Sequence, residues 1–100
     1  MKIKSLTQTC FCCPSQWEGL LDDGRSIYIR YRYGKLFVGI GNTKDEAVRS
    51  SELVQTITDK FSSFMTTEKM LGFISKSCGL ETDFHLKVEE SRSSYADMVH

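Results

Sequence analysis

IYIRYRYGKLFVGIG, residues 27–41, alternates apolar and polar side chains with a period of two on either side of a Tyr-Gly pair. This pattern predicts two antiparallel strands, SIYIRYR and KLFVGIG, joined by a two-residue turn at Tyr33-Gly34. An upstream run, QWEGLL, followed by a second two-residue turn at Asp23-Gly24, adds another strand. A three-stranded antiparallel meander is therefore expected.

Counting outward from the two turns decides which side chains share a face of this sheet. One face is apolar and is expected to be the core: Leu20, Ile27, Ile29, Tyr31, Leu36, Val38 and Ile40. The other face carries aromatic and arginine side chains: Trp17, Tyr28, Arg30, Arg32 and Phe37. In this register Trp17, Arg30 and Phe37 lie in one row across three strands, where the guanidinium stacks on the rings.

The next segment, GNTKDEAV, has the pattern of a helix start. Thr43 is the expected N-cap and Glu46 completes a capping box. Apolar residues continue at helical spacing, which favours a longer helix, although LVQTIT is β-branched enough for a strand over 52–60. A second helix is expected over 67–78, with Gly79 at its C-cap.

The run DFHLKVEE, residues 83–90, alternates again and predicts a fourth strand. The expected architecture is α+β: a three-stranded antiparallel meander plus a C-terminal strand, with two helices packed on one face. Residues 1–15 are interpreted as a lead-in segment, 16–90 as a single α+β domain and 91–100 as a flexible tail. The arginine and aromatic face is then left to solvent or to a partner.

The composition is that of one small globular domain with no overall charge. The 100 residues include 13 Lys/Arg and 13 Asp/Glu, so no global field attracts nucleic acid or membranes. Residues 1–40 carry six basic and three acidic side chains, whereas 41–100 carry seven and ten. No signal-peptide core or long apolar span occurs, which predicts a cytoplasmic protein with reduced cysteines and no membrane contact.

The arginine and aromatic face is the candidate binding site. Trp, Tyr, Phe and Arg are the residue types enriched in binding hot spots, so another protein is the expected partner. Rings interleaved with cations also suit single-stranded nucleic acid, which is the alternative. A self-packed ladder, or a face covered by residues 1–15, accounts for the same pattern without any function. The oligomeric state is left open.

The cysteine cluster CFCC raises a third alternative, a small zinc-stabilised module using Cys10, Cys12 and Cys13. Structural zinc sites prefer two cysteines two to four residues apart, with a second pair of ligands. The spacing here is Cys-x-Cys-Cys without a second pair, so these residues are weak candidates and no metal or other cofactor is predicted.

No catalytic residues stand out. Asp22 and Asp23 belong to a turn, and Asp45 and Glu46 to a helix start. GIGNT lacks the spacing of a phosphate-binding glycine loop. The expectation is a small non-enzymatic protein of the accessory, immunity or inhibitor-like kind.

CPSQWEG, residues 13–19, with DDGRSIYIRYRYG, residues 22–34, resembles small bacterial proteins with a Cys-Pro-x-Gln-Trp-Glu-Gly lead and a Tyr-x-Arg-Tyr-Arg strand. The resemblance implies a bacterial or phage protein and brings no activity. The junction into GNTKDEAV is similar to that of HicB-type antitoxin domains. Helix-capping chemistry explains that junction, so no function is carried over from it.

Overall fold

The computed structural model describes residues 2–12, 14–57 and 63–90. These residues form six strands and two helices: β1 (Lys2–Cys10), β2 (Ser15–Leu21), β3 (Ser26–Arg32), β4 (Lys35–Gly41), α1 (Lys44–Arg49), β5 (Glu52–Thr56), α2 (Thr67–Cys78) and β6 (Glu81–Glu90). The mixed α+β class is confirmed. The predicted tail, 91–100, lies outside the described residues.

All six strands belong to one sheet, in the order β5-β4-β3-β2-β1-β6. The pairs are antiparallel except β1 with β6, which is parallel. Strand β1 comes from the segment interpreted as a lead-in and lies between β2 and β6. The sheet therefore has two strands more than the four that the sequence predicted.

The β3–β4 hairpin has the predicted register. Arg30 lies opposite Phe37, and Tyr28 lies opposite Gly39. Tyr33 and Gly34 both have positive φ, at 52° and 74°, as a two-residue type I′ turn requires.

The β2–β3 register differs from the prediction by one residue. Residues 22–24 form a three-residue loop, because the Leu21 N–H donates to the Arg25 carbonyl at 2.8 Å and the Gly24 N–H donates to the Leu21 carbonyl at 3.0 Å. Gly24 has φ +89°, which fits a type I turn followed by a left-handed residue. A slip of one residue reverses the two faces of a strand, so Trp17 lies opposite Ile29 instead of Arg30.

The helix favoured beyond Ser50 is wrong, and the strand alternative applies. Helix α1 ends at Arg49, and Glu52–Thr56 forms β5 on the free edge of β4. The β-branched side chains fit this pairing, since strand formation depends on packing against neighbours more than on local preference. Of the predicted strand range, 58–60 lies outside the described residues.

Both predicted helix starts are present. The Thr43 hydroxyl accepts from the Glu46 N–H at 3.2 Å, and the Glu46 carboxylate accepts from the Asn42 N–H at 2.8 Å. Helix α2 spans the predicted 67–78, and Gly79 ends it in the left-handed conformation, with φ +66°.

The two helices lie on opposite faces of the sheet, so the prediction that they share one face is wrong. The core face carries Trp17, Ile29 and Leu36, which form one buried cluster with Met70 and Ile74 of α2. On the other face, called here the α1 face, Gly39 and Gly41 let the backbone of α1 approach closely at Ala47. A side chain at either glycine would occupy that space.

Candidate functional site

The five residues predicted to form the binding face divide into two groups. Trp17 is fully buried on the core face, where its indole N–H donates to Thr67 Oγ1 at 2.9 Å. Tyr28 does lie on the α1 face, but it is only 6% exposed. The structure keeps Arg30, Arg32 and Phe37 accessible on the α1 face, and the predicted position of Trp17 is wrong because of the three-residue loop.

Arg30 lies near the middle of this face and is half-buried. Its guanidinium carbon lies 5.3 Å from the centre of the Phe37 ring. Its Nε is buried and has no hydrogen-bond partner among the described residues. A guanidinium that stacks on a ring can still donate its terminal in-plane N–H groups to a carboxylate or phosphate.

Arg32 and Lys35 lie opposite each other in the next row and are both exposed. The Arg32 guanidinium carbon lies 4.7 Å from the centre of the Tyr33 ring, and its Nη2 donates to the Tyr33 hydroxyl at 3.0 Å. The two ends of the β3–β4 turn therefore add two cations beside Arg30.

Leu53 belongs to this face and was missed from the sequence. It lies opposite Phe37 on β5 and is 49% exposed. The predicted helix would not have placed Leu53 beside Phe37. The pairing of β5 with β4 does so. The apolar residue next to a stacked ring gives the face an apolar centre beside its cations.

We call this surface the Arg–Phe patch. It consists of six side chains on the part of the α1 face that α1 does not cover: Gln16, Arg30, Arg32, Lys35, Phe37 and Leu53. The ion pairs found among the described residues are Arg25 with Asp23 and Lys44 with Glu18. No carboxylate of the described residues thus neutralises Arg30 or Arg32, and the patch is positively charged.

An ion pair connects α1 to the sheet beside the patch. Lys44 Nζ lies 2.7 Å from Glu18 Oε2, and this carboxylate raises the pKa of Lys44 above its ordinary value. Glu18, opposite Tyr28 on the α1 face, is therefore matched by a cation of α1. Its charge is compensated locally and does not reduce the charge excess of the patch.

The cysteines do not assemble into a metal site in the described part of the chain. No group of three or more His, Cys, Asp or Glu side chains there is placed to hold a metal ion. Cys12 is disulfide-bonded, so the expectation of reduced cysteines is wrong for this residue, and it has no thiolate to offer zinc. Cys10 is a free thiol that donates to the Cys12 carbonyl at 3.3 Å, and Cys13 lies outside the described residues.

A cavity of about 600 Å³ lies between β4, β5 and the end of α2. Its walls include Val38, Ile40, Val54 and Leu80, with the free thiol of Cys78 beside them. Burial raises the pKa of Cys78, which keeps the thiol protonated at neutral pH and makes it a poor nucleophile. Ser50 and Glu52 also line the wall, so this cavity has a mixed lining, and its thiol is not activated.

Within the described ranges, no helix combines the length and the apolar character needed to cross a membrane. Comparison with protein-family models, curated proteins and solved structures found no match to this chain.

Proposed function

We propose that this chain is a small non-enzymatic module that binds another protein through the Arg–Phe patch. One observation carries the proposal: the guanidinium of Arg30 stacks on Phe37, while its buried Nε has no partner among the described residues. A buried donor without a partner is unfavourable, and a carboxylate that reaches it after a small shift of the half-buried side chain would supply the missing acceptor.

The rest of the patch suits a partner surface that combines acidic and apolar side chains. Phe37 and Leu53 provide a small apolar centre, and Arg32 and Lys35 provide cations at its rim. Protein interfaces commonly have this arrangement, with desolvated aromatic and arginine anchors inside a polar border. The partner expected is thus an acidic protein surface with an exposed apolar residue.

Single-stranded nucleic acid is the second candidate, and the burial of two aromatic residues disfavours it. A stacking platform needs several exposed rings. With Trp17 on the core face and Tyr28 only 6% exposed, the accessible rings are Phe37 and, beside the patch, Tyr33, and each is already stacked on an arginine. The zero net charge of the whole chain also limits the attraction to phosphates. The zinc-stabilised module has the least support, because Cys12 is disulfide-bonded.

An accessory, immunity or inhibitor-like role in a bacterium or phage is the category that fits such a module. The cytoplasmic location stays a prediction from the sequence.

The proposal is tested with Arg30→Glu. A tagged wild-type chain and this variant are used to capture partners from bacterial lysate, with and without nuclease. The affinity of the purified partner is then measured by calorimetry. Because the substitution reverses the central charge of the patch, we expect it to weaken binding by about 2 kcal/mol or more, roughly 30-fold.

Lys69→Glu is the matched control, because it makes the same change of charge on α2, across the sheet from the patch. We expect this variant to bind as the wild type does. Equal affinity of wild type and Arg30→Glu would contradict the proposal. Capture that disappears with nuclease, together with a steep loss of affinity with salt, would identify a nucleic-acid binder instead.

A further inference from the structure

A second cavity, of about 460 Å³, lies on the core face at the amino-terminal end of α2. Its wall includes Gln8, Phe11, Phe64, Thr67, Glu68 and Leu71. The volume is within the range of small-molecule sites, and the wall combines aromatic rings with a few polar groups, as such sites do. This cavity and the Arg–Phe patch lie on opposite faces of the sheet.

Gln8 is the unusual residue of this cavity. It is only 3% exposed, lies opposite Trp17 on the core face and lines the cavity. Its carboxamide makes none of the hydrogen bonds found among the described residues, and its polar atoms are not among the fully buried ones without a partner, which fits a side chain that borders the cavity. One donor group and one acceptor are therefore available side by side for a ligand.

The first turn of α2 supplies further donors. Thr66 caps this 12-residue helix by accepting from the Lys69 N–H at 3.3 Å. The N–H groups of Thr67 and Glu68 precede the first intrahelical bond and have no acceptor within the helix. The Thr67 hydroxyl accepts from Trp17, which holds its oxygen in place and leaves its proton available for donation.

The rim of the cavity is aromatic, and hydrogen bonds from a buried serine fix the backbone of both rim segments. The ring centres of Phe11 and Phe64 are 5.1 Å apart, and both rings are partly exposed. The fully buried Ser15 ties both segments together, because its hydroxyl donates to the Phe11 carbonyl at 2.7 Å and accepts from the Met65 N–H at 3.1 Å. The site is therefore preformed, which lowers the ordering entropy lost on binding.

We propose that this cavity binds a small uncharged aromatic ligand whose edge carries an amide-like pair of donor and acceptor. The Gln8 carboxamide matches such an edge with two hydrogen bonds, and the N–H groups of α2 suit a carbonyl oxygen. Phe11 and Phe64 provide apolar surface for the ring. Glu68 is one of the wall residues, and its negative charge disfavours an anionic ligand of the same shape.

Benzamide is the probe, and benzoate is its isosteric anion. The ¹⁵N-labelled full-length chain is titrated with each compound and followed by NMR. We expect saturable shifts of the Gln8 side-chain NH₂ and of the Thr67 and Glu68 amides with benzamide, and at least threefold weaker binding of benzoate. Shifts that do not saturate, or shifts centred on the Arg–Phe patch, would overturn the proposal.

Gln8→Leu keeps the side-chain size but removes both polar atoms, so we expect at least a tenfold loss of benzamide affinity. Phe64→Ala provides a second test that does not depend on a buried position, with an expected loss of at least threefold. Leu53→Ala is the control, because it truncates a similarly exposed side chain on the opposite face. Unchanged affinity in both cavity variants would overturn the proposal.

Discussion

Trp17 is anchored both by its burial and by its indole N–H. It is fully buried, and it donates to Thr67 at the start of α2. Trp17→Phe removes this hydrogen bond and leaves a small void, so we expect it to lower the free energy of unfolding by about 1–3 kcal/mol. Urea unfolding followed by circular dichroism measures the loss.

The wild-type chain offers an independent check, because Trp17 is the only tryptophan. Its fluorescence is expected to be shielded from acrylamide and to become accessible on unfolding. Phe37→Leu is the control, since Phe37 is only partly buried. A quenched indole, or a smaller loss of stability for Trp17→Phe than for Phe37→Leu, would place Trp17 on the surface.

The carboxylate of Asp23, in the loop between β2 and β3, is stabilised in its charged form by Arg25. The pKa of Asp23 lies below its ordinary value of 3.8, chiefly because the carboxylate accepts from the Arg25 N–H at 3.0 Å, and also from Arg25 Nε at 2.7 Å. A lowered pKa means that the charged form stabilises the fold at any pH above the ordinary value. This contribution is lost as the pH falls below it.

Asp23→Asn is therefore expected to be slightly less stable than the wild type at pH 7. The difference should shrink as the pH falls below about 4, where the wild-type carboxyl begins to protonate. Urea midpoints of both proteins at pH 7, 4 and 3 measure this. A difference that stays constant across the three pH values would show that the charge of Asp23 is not involved.

The close contact between α1 and β4 requires a glycine, without a side chain, at position 39. A Cβ on Gly39 would overlap the carbonyl oxygen of Ala47 and lie 2.8 Å from the Ser51 nitrogen. Because both atoms belong to the backbone, α1 would have to move. Gly39→Ala is expected to lower the free energy of unfolding by about 3 kcal/mol.

Gly72→Ala is the matched control for this prediction. Gly72 lies within α2, and a Cβ there meets no other atom within 4 Å. Alanine favours helix over glycine, so the same substitution should raise the free energy of unfolding by about 0.5–1 kcal/mol. Thermal melts compare the two variants directly. Similar small effects at both positions would mean that α1 does not pack closely on the sheet.

The two hairpin turns explain why one register could be predicted and the other could not. Tyr33-Gly34 supplies the two positive φ values of a type I′ turn, and the pairing follows from it. Asp22-Asp23-Gly24 is compatible with either two or three loop residues, since Asp-Gly fits both. The choice of three is stabilised by pairing of β2 with both neighbours, which buries Trp17.

In the segment after Ser50, local sequence likewise could not decide between a helix and a strand. Its β-branched residues and its helical spacing compete locally. Pairing with the free edge of β4 decides for a strand. The Arg–Phe patch gains Leu53 only through this choice, which is why the sequence could not place it there.

The two helices leave one candidate binding site on each face of the sheet. Helix α2 covers the core face and borders the cavity at Gln8, whereas α1 covers only part of the other face. The Arg–Phe patch is the part of the α1 face that the shorter helix α1 does not cover. Because the sheet separates the two sites, Arg30→Glu should leave benzamide binding unchanged, and Gln8→Leu should leave partner binding unchanged.

Local patterns in the sequence were enough to predict the α+β class, the β3–β4 hairpin, the span of α2 and the two helix starts. Each of these follows from interactions among residues close in the chain: alternation, turn residues and caps. The folded chain was needed to establish the three-residue loop, the place of β1 between β2 and β6, strand β5 and the opposite faces of the helices. Those features depend on contacts between distant segments, whose free energy exceeds local preference and cannot be inferred from spacing alone.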